Sequence, residues 1–320
     1  MRLSRCAMAT EKEHKRFLMR FLILCAAPLV FIVSLNFLID PFNHNNLFDI
    51  GLKKDKVSQI ANSRLYKLIA FERDPVPNIL LGDSRLFFLD THAIEKESGQ
   101  RFFNFAYGGG TLNESTDTFW RASKQVKLRS VYIGINFNLF NKNNSMNLVP
   151  EMEALSHNPA KYYSSLYIAK ISLFNLIYRF TGWNFAYPKL KKKQELWKDQ
   201  LGPATDGFYS RYTYPETYVR ELKKIKAYCD RNGVELVFLI PPTHVDLQNK
   251  AREYKLEKQF EDYKKVLASI STTVDYDFPN EWTKNRALFR DPYHANARVI
   301  SLIIREVWGD RLRVGRVVAP

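Results

Sequence analysis

The sequence predicts an α/β protein in which a doubly wound, parallel sheet carries helices on both faces and follows one transmembrane helix. Two observations support this fold class. An uncharged apolar run occupies residues 21–39. After it, short apolar runs with the length of buried strands alternate with amphipathic segments with the length of helices. Such alternation is typical of βαβ units, in which successive strands are parallel.

Residues 21–39 read FLILCAAPLVFIVSLNFLI. A helix of this length would span about 28 Å, which is close to the hydrocarbon thickness of a bilayer. The run is long for the apolar part of a signal peptide, and no small-x-small cleavage site follows it. A core helix that is so uniformly apolar would be unusual at a chain terminus. We therefore predict a retained membrane anchor.

Basic residues precede the predicted anchor. Residues 1–20 hold six Lys and Arg against two Glu, so the positive-inside rule predicts a cytoplasmic N-terminus and an external remainder. The whole chain has a net charge of +15, and residues 41–320 keep +12 of it. An external location excludes intracellular nucleic acid as a partner and leaves an anionic polymer or lipid surface. Cys229 would be the only external cysteine, so no intrachain disulfide is expected there.

The chain after the anchor is predicted to form a stem and one domain. Residues 40–75 are polar and compatible with helix, and we interpret them as the stem. Residues 76–310 carry the strand–helix alternation and form the domain, and residues 311–320 form a tail. The predicted strands lie at 76–81, within residues 101–105, at 131–135, at 234–240 and near Val274. The clearest helices are predicted at 215–232, with Gly233 as the C-cap, at about 246–268 and at about 295–308. Thr111-Leu-Asn-Glu114 fits a capping box that opens a further helix.

Residues 139–214 interrupt the alternation and are predicted to be an insertion that shapes the mouth of the site. The segment contains the basic run Lys189-Leu-Lys-Lys-Lys193. Ordinary packing of an extra helix at 161–180 is the alternative interpretation. The segment is also rich in aromatic residues, namely Tyr162, Tyr163, Tyr167, Phe174, Tyr178, Trp183, Phe185, Tyr187 and Trp197.

Four sequences that carry useful chemical groups lie at predicted strand ends or helix starts. Loops at the carboxyl ends of parallel strands meet at one edge of the sheet, so we expect these sequences to come together. In chain order they are Gly82-Asp83-Ser84, Gly108-Gly109-Gly110-Thr111, Gly134-Ile135-Asn136 and Asp291-Pro-Tyr-His294.

These groups are the parts of a serine-dependent acyl transfer site. A serine hydroxyl becomes an effective nucleophile when a base removes its proton, and His294 could be the base for Ser84. Asp291 could fix the tautomer of His294 and stabilise its cation. The backbone N–H groups of Ser84 and Gly109 and the side-chain amide of Asn136 could bind the oxyanion.

Asp83 and Gly108 are predicted to support this site. Asp83 could orient the turn that carries the nucleophile, or it could cap the following helix. Gly108 belongs to a glycine turn whose backbone N–H groups can face a ligand. The turn lacks the spacing of a phosphate-binding loop. His92 and His157 have no partners at metal-ligand spacing, so we predict neither a metal nor a cofactor.

The ordered set of motifs resembles the SGNH (GDSL-like) hydrolase superfamily over residues 78–294. The resemblance implies a flavodoxin-like fold with Ser84 as the nucleophile and Asp291 with His294 as the dyad. It also implies that Gly109 and Asn136 are oxyanion donors.

Two positions depart from the superfamily pattern. Arg85 replaces the usual leucine after the serine, and Phe137 replaces the aspartate that often follows the asparagine. Neither change removes a catalytic group, and both leave the substrate preference open.

The layout of anchor and domain is similar to that of membrane-tethered proteins that modify cell-envelope polymers, such as the alginate O-acetylation and lipoteichoic acid D-alanylation proteins. The resemblance implies a single-pass protein of the bacterial inner (cytoplasmic) membrane with a periplasmic, or extracytoplasmic, catalytic domain. It implies a polysaccharide or other anionic envelope polymer as substrate and a polytopic membrane O-acyltransferase as partner. We expect an O-acyl (acetyl) transferase or esterase. The alternative is a non-catalytic glycan-binding or assembly subunit, favoured by the positive charge and the aromatic insertion.

Overall fold

The structure, a computed structural model, describes residues 2–187, 192–309 and 311–319. Positions 189–191 of the predicted basic run lie outside the described residues. The helices within these ranges are α1 (Arg2–Ile39), α2 (Lys54–Ala61), α3 (Ser63–Arg73), α4 (Thr91–Ser98), α5 (Leu112–Gln125), α6 (Val149–Ser156), α7 (Pro159–Tyr163), α8 (Leu166–Thr181), α9 (Lys193–Asp199), α10 (Thr205–Tyr209), α11 (Glu216–Asn232), α12 (Val245–Glu253), α13 (Glu257–Ile270) and α14 (Ala297–Trp308). The strands are β1 (Asn78–Leu81), β2 (Phe103–Asn104), β3 (Ser130–Gly134), β4 (Glu235–Ile240), β5 (Thr272–Asp275), β6 (Phe289–Asp291), β7 (His294–Ala295) and β8 (Arg316–Val317).

The chain divides into two compact units. The first unit consists of Met1–Ile69 and Met152–Pro188, and the second consists of Ala70–Glu151 and Lys189–Pro320. Residues from the predicted stem and from the predicted insertion together form a core within the first unit. The buried members of this core are Phe42, Leu65, Ile69, Leu155, Tyr162, Ile168 and Ile171.

The side chains of helix α1 are exposed along residues 13–31 and partly buried near its C-terminal end. The stretch Glu13–Ile39 is long and apolar enough to cross a membrane. Side chains 13–31 are exposed, whereas Asn36 and Ile39 are buried where α1 contacts α7 and α8. The Asn36 amide donates to the carbonyl oxygens of Tyr163 at 2.8 Å and Ser165 at 3.0 Å. These bonds fix the last turns of α1 within the first unit, because an unpaired buried amide would be costly.

The second unit is built on a six-stranded sheet in the order β2-β1-β3-β4-β5-β8. Strands β1 to β5 pair in parallel, and β8 pairs antiparallel with β5. The inner strands read as continuous apolar runs and are almost wholly buried, as expected for strands covered on both sides. The predicted α/β class with a mostly parallel sheet is therefore confirmed.

Helices pack around this sheet. On one face, α4 and α14 contribute Ile94 and Ile303 to a core that contains Leu80, Tyr132 and Val237 of the strands. Side chains alternate along a strand, so the intervening strand residues point to the other face. The helices α5, α11 and α13 contact β1, β4 and β5 respectively. The carboxyl ends of the strands are left uncovered by this packing and carry the loops of the site.

The structure differs from the sequence prediction in two elements. The predicted charged helix at about 246–268 is two helices, α12 and α13. Lys255 lies between them with a φ of +56°, a left-handed conformation that ends a helix. Part of the predicted tail forms the edge strand β8, and Arg316 of that strand pairs with the buried Asp275 at 2.9 Å.

Candidate active site

Asp291 and His294 face each other across a tight hairpin. They are paired residues of the antiparallel strands β6 and β7, and Pro292 and Tyr293 make the turn. Nδ1 of His294 lies 2.7 Å from Oδ1 and 2.8 Å from Oδ2 of Asp291. The backbone N–H groups of Tyr293 and His294 also donate to Oδ1, at 2.9 and 3.1 Å. The two-residue turn therefore fixes the carboxylate against the imidazole before any substrate is bound.

Ser84 completes a chain of hydrogen bonds with this pair. Its Oγ lies 2.8 Å from Nε2 of His294. Ser84 follows β1 and sits in a turn that is closed by a bond from the N–H of Leu86 to the carbonyl of Asp83. The chain passes through further turns before α4 begins at Thr91, so the serine does not lie directly at a helix start.

The ionisation state of Asp291 determines where the protons lie in the hydrogen-bond chain from Ser84 through His294 to Asp291. Burial would raise the pKa of Asp291, but the hydrogen bond and charge of His294, together with the N–H of Tyr293, outweigh it and lower the pKa. An ionised carboxylate can only accept, so we assign the Nδ1 proton of neutral His294 to this contact. Nε2 then accepts from the hydroxyl of Ser84. This is the orientation in which His294 can remove the serine proton.

The predicted glycine turn lies beside the serine. Gly109 has a φ of +61°, a conformation that favours glycine. A Cβ on Gly110 would lie 2.9 Å from the carbonyl oxygen of Gly82, so the turn approaches the end of β1 closely. Gly109, Gly110 and Ser84 line the same cleft, and Gly108 is exposed next to them. The structure thus brings the second predicted motif to the first.

Asp83 is the centre of a buried polar network. Its Oδ2 accepts from Nη1 of Arg85 at 2.6 Å and from the amide of Asn136 at 3.1 Å. Arg85 also donates from Nη2 to Asn138 at 2.7 Å, and its guanidinium lies over the ring of Tyr293 at 5.1 Å. The network therefore connects the ends of β1 and β3 with the hairpin that carries His294.

The network contains one residue that the sequence predicted for the site, Asn136, and two that it did not, Arg85 and Asn138. The structure brings Asn136 next to Asp83, and the contact holds one amide hydrogen on the carboxylate. Asn136 is 1% exposed, and its part as an oxyanion donor stays a prediction. Arg85 and Asn138 were not predicted as site residues. The sequence patterns that could have indicated them are Asp83-x-Arg85 at the end of β1 and Asn136-x-Asn138 at the end of β3.

Two clefts meet at Ser84 and His294. One has a volume of about 230 Å³ and presents polar groups of Asn138, Asn144 and Gln200. Gln200 comes from the predicted insertion, so part of that segment lines the site. The other cleft has a volume of about 660 Å³ and is bounded largely by apolar side chains of α4, α14 and the loop after Ser84. An ester bound at Ser84 would have access to both.

No protein-family model and no curated protein matches this chain. Among solved structures, it is similar to a proposed acylhydrolase from Bacteroides fragilis, with a TM-score of 0.38 and 12% identity over 77% of this chain and 93% of that one. It is also similar to a proposed platelet activating factor from Streptococcus pneumoniae, with a TM-score of 0.36 and 11% identity over 78% of this chain and 90% of that one. At these values the likeness identifies neither a family nor an activity.

Proposed function

We propose that the protein is a serine-dependent O-acyl esterase or transferase that works through an acyl-enzyme on Ser84. One observation carries the proposal, namely the continuous hydrogen-bond chain from Ser84 to His294 at 2.8 Å and from His294 to Asp291 at 2.7 Å. The hydroxyl of Ser84 contacts a base, the imidazole of His294, and the carboxylate of Asp291 contacts the other nitrogen of that imidazole. Nucleophilic catalysis by serine requires this arrangement.

The first half-reaction forms the acyl-enzyme. Oγ of Ser84 attacks the ester carbonyl carbon while Nε2 of His294 takes the hydroxyl proton, and Asp291 stabilises the imidazolium. The N–H groups of Ser84 and Gly109 and the amide of Asn136 bind the oxyanion, each such donor contributing about 10²–10³ in rate. When the carbon–oxygen bond to the alcohol breaks, His294 returns its proton to the leaving oxygen.

The second half-reaction repeats these steps with a different nucleophile. Water, in an esterase, or an acceptor hydroxyl, in a transferase, gives its proton to His294 and attacks the acyl carbon. Ser84 then leaves and regains the proton. The polar cleft that contains Asn138, Asn144 and Gln200 can hydrogen-bond a hydroxyl-bearing acceptor, and this supports transfer to a sugar.

The strand order supports the SGNH type of fold within this proposal. The order β2-β1-β3-β4-β5 is the order of flavodoxin-like, doubly wound sheets, whose ligands bind at the carboxyl ends of the strands. Ser84 follows β1, Gly109 follows β2 and Asn136 follows β3, so the candidate groups occur at the edge where that fold places its sites.

Membrane anchoring belongs to the same proposal. The exposed, apolar side chains of residues 21–31 in α1 support a single-pass anchor in the bacterial inner membrane. The basic residues before it support a cytoplasmic N-terminus. The site would then face the periplasm, beside a polytopic membrane O-acyltransferase, and the net charge of +12 after residue 40 would favour an anionic envelope polysaccharide as the substrate.

A non-catalytic role in glycan binding or assembly is the second candidate. It is favoured by the aromatic side chains of Trp183, Phe185 and Tyr187, which are 72%, 51% and 51% exposed. Exposed aromatic rings can stack on sugars, and this surface does not require an active serine.

Ester hydrolysis by the full-length protein in lipid nanodiscs tests the leading proposal. We expect p-nitrophenyl acetate to be cleaved and the Ser84→Ala variant to fall to the background rate. Ser269→Ala, which removes an exposed helical hydroxyl of α13, is the matched control and should retain the wild-type rate. A Ser84→Ala rate equal to that of the wild type would mean that the serine mechanism is wrong.

A further inference from the structure

The larger of the two clefts is apolar although it opens onto the candidate nucleophile. It lies between α4 and α14, and Ser84 and His294 form one end of it. Its apolar lining consists of Phe88, Ala93, Ala295, Ala297, Ile300 and Ile304. At about 660 Å³ it has the size of a small-molecule site, far more than an acetyl group occupies.

The protein core covers this apolar surface only in part: Ile304 is buried, whereas Ala93, Ala295 and Ile300 pack against the core and stay partly exposed. Phe88 is 56% exposed next to the serine. Ile300 is only partly buried, although it lies on the same helix as the fully buried Val299. A hydrocarbon ligand would cover both side chains and remove apolar surface from water.

The charged residues of the lining already have partners. The carboxylate of Asp90 caps α4 by accepting from the N–H of His92. Arg290 lies 3.6 Å from Asp291, and the guanidinium of Arg85 is paired with Asp83. Asn296 and Ser301 also line the cleft. Asn296 accepts from the N–H of Val299, and Ser301 donates to the carbonyl oxygen of Ala297. The remaining, apolar part of the cleft between the two helices is suited to a chain without polar groups.

We propose that this cleft binds a hydrocarbon chain of the ester substrate, so that the natural substrate carries a chain several carbons longer than acetyl. This inference rests on the proposed function and specifies its substrate class. The chain could belong to the acyl group or to the alcohol. The polar cleft suits the hydroxyl-bearing partner, which favours the acyl group. The chain then moves to Ser84 Oγ as the ester bond breaks, and the alcohol leaves with the proton from His294.

Chain-length dependence is the kinetic test, with full-length protein in nanodiscs. One series uses p-nitrophenyl esters from acetate to decanoate, and the other uses acetate esters of alcohols from ethanol to decanol. We expect kcat/KM to rise about two- to fourfold for each added methylene that the cleft buries. A rise in the first series assigns the cleft to the acyl chain, and a rise in the second assigns it to the alcohol. If kcat/KM does not change with chain length in either series, the inference is wrong.

Filling the cleft provides the matched comparison. Ala297 is exposed in the first turn of α14 and lines the cleft, so Ala297→Phe adds a ring without displacing the core. We expect the ratio of octanoate to acetate kcat/KM to fall at least about tenfold. Ala227→Phe, at an exposed position of α11, is the control and should leave the ratio unchanged. Equal ratios in both variants would contradict a chain site between α4 and α14.

A binding test separates this inference from the proposed function. Ser84→Ala protein is irradiated with a decanoic acid that carries a diazirine, and the labelled peptides are identified by mass spectrometry. We expect labels on α4 or α14 that decrease in Ala297→Phe and persist in Ala227→Phe. Labelling there without any Ser84-dependent hydrolysis would refute the proposed function and support the cleft. Labelling confined to other segments would refute the cleft, whatever the activity.

Discussion

The hydroxyl oxygen of Ser84 lies 2.8 Å from Nε2 of His294, although 210 positions separate the two residues in the sequence. Strands β1 and β5 run parallel in the same sheet, so the turn after β1 and the segment after β5, which contains the hairpin of β6 and β7, leave the same edge. The separation matches a hydrogen bond between a nucleophile and its base. Asp291, Arg85 and the glycine turn at 108–110 hold the two partners of this contact in place.

Asp291→Asn should lower kcat for p-nitrophenyl acetate by about 10²–10⁴. The amide cannot stabilise the imidazolium, and it can favour the wrong tautomer of His294. The measurement is steady-state hydrolysis by the full-length protein. The chain offers a matched control in Asp246, which pairs with Nδ1 of His244 at 3.2 Å. Asp246→Asn should retain activity, and equal losses in the two variants would contradict a specific role for Asp291.

Arg85→Leu should destabilise the second unit by about 3–5 kcal/mol, because it leaves the buried carboxylate of Asp83 without its cation. The measurement is the midpoint of thermal unfolding. Arg101 provides the control, since it pairs with Asp74 at 2.5 Å on the surface. Arg101→Leu should leave the midpoint nearly unchanged. If Arg85→Leu has the same midpoint of thermal unfolding as the wild type, the buried network does not stabilise the second unit.

Gly110→Ala should reduce ester hydrolysis by about 10²-fold or more, the effect of losing an oxyanion donor. The added Cβ would lie 2.9 Å from the carbonyl oxygen of Gly82, so the turn that carries Gly109 would have to move away from Ser84. Gly207→Ala is the comparison, because its added Cβ would meet no atom within 4 Å other than those of its chain neighbours and of the backbone of its own helix α10. Similar kcat values for the two variants would argue against Gly109 as a donor.

The thiol of Cys229 should resist alkylation in the native protein at pH 8. Burial raises its pKa to about 12, so the reactive thiolate is a fraction of about 10⁻⁴ at pH 8. Because its pKa is raised, reactivity should increase as the pH rises toward 12. The measurement is N-ethylmaleimide labelling in a Cys6→Ser, Cys25→Ser background, with urea-unfolded protein as the control. Equal labelling rates in folded and unfolded protein would show that the core around α11 is open.

Local sequence patterns predicted the local structure well. The capping box of Thr111 and Glu114 is present, and α11 ends at Gly233 in a left-handed conformation. The buried strands fall where the apolar runs lie. These features depend on residues within one turn or one strand of each other, so the sequence contains the whole signal.

Features that depend on distant contacts could not be predicted in this way. The pairing of Arg85 with Asp83 and Asn138 requires the relative positions of β1 and β3, which only the folded sheet defines. Residues 40–69 and 152–171 share a core because of long-range packing. No sequence pattern in either segment indicates that it contacts the other. The helix break between α12 and α13 depends on a left-handed conformation at Lys255, which lysine rarely adopts. No residue pattern near Lys255 predicts this break.

Covalent labelling of Ser84 is the sharpest test of whether this serine is an activated nucleophile. Full-length protein is treated with a fluorophosphonate, and the modified residue is identified by peptide mass spectrometry. We expect one adduct on Ser84 that is lost on unfolding and is strongly reduced in His294→Ala, because the serine reacts only when its base is in place. Folded wild-type protein without an adduct on Ser84, or equal labelling in His294→Ala, would contradict the proposed mechanism and favour a non-catalytic role.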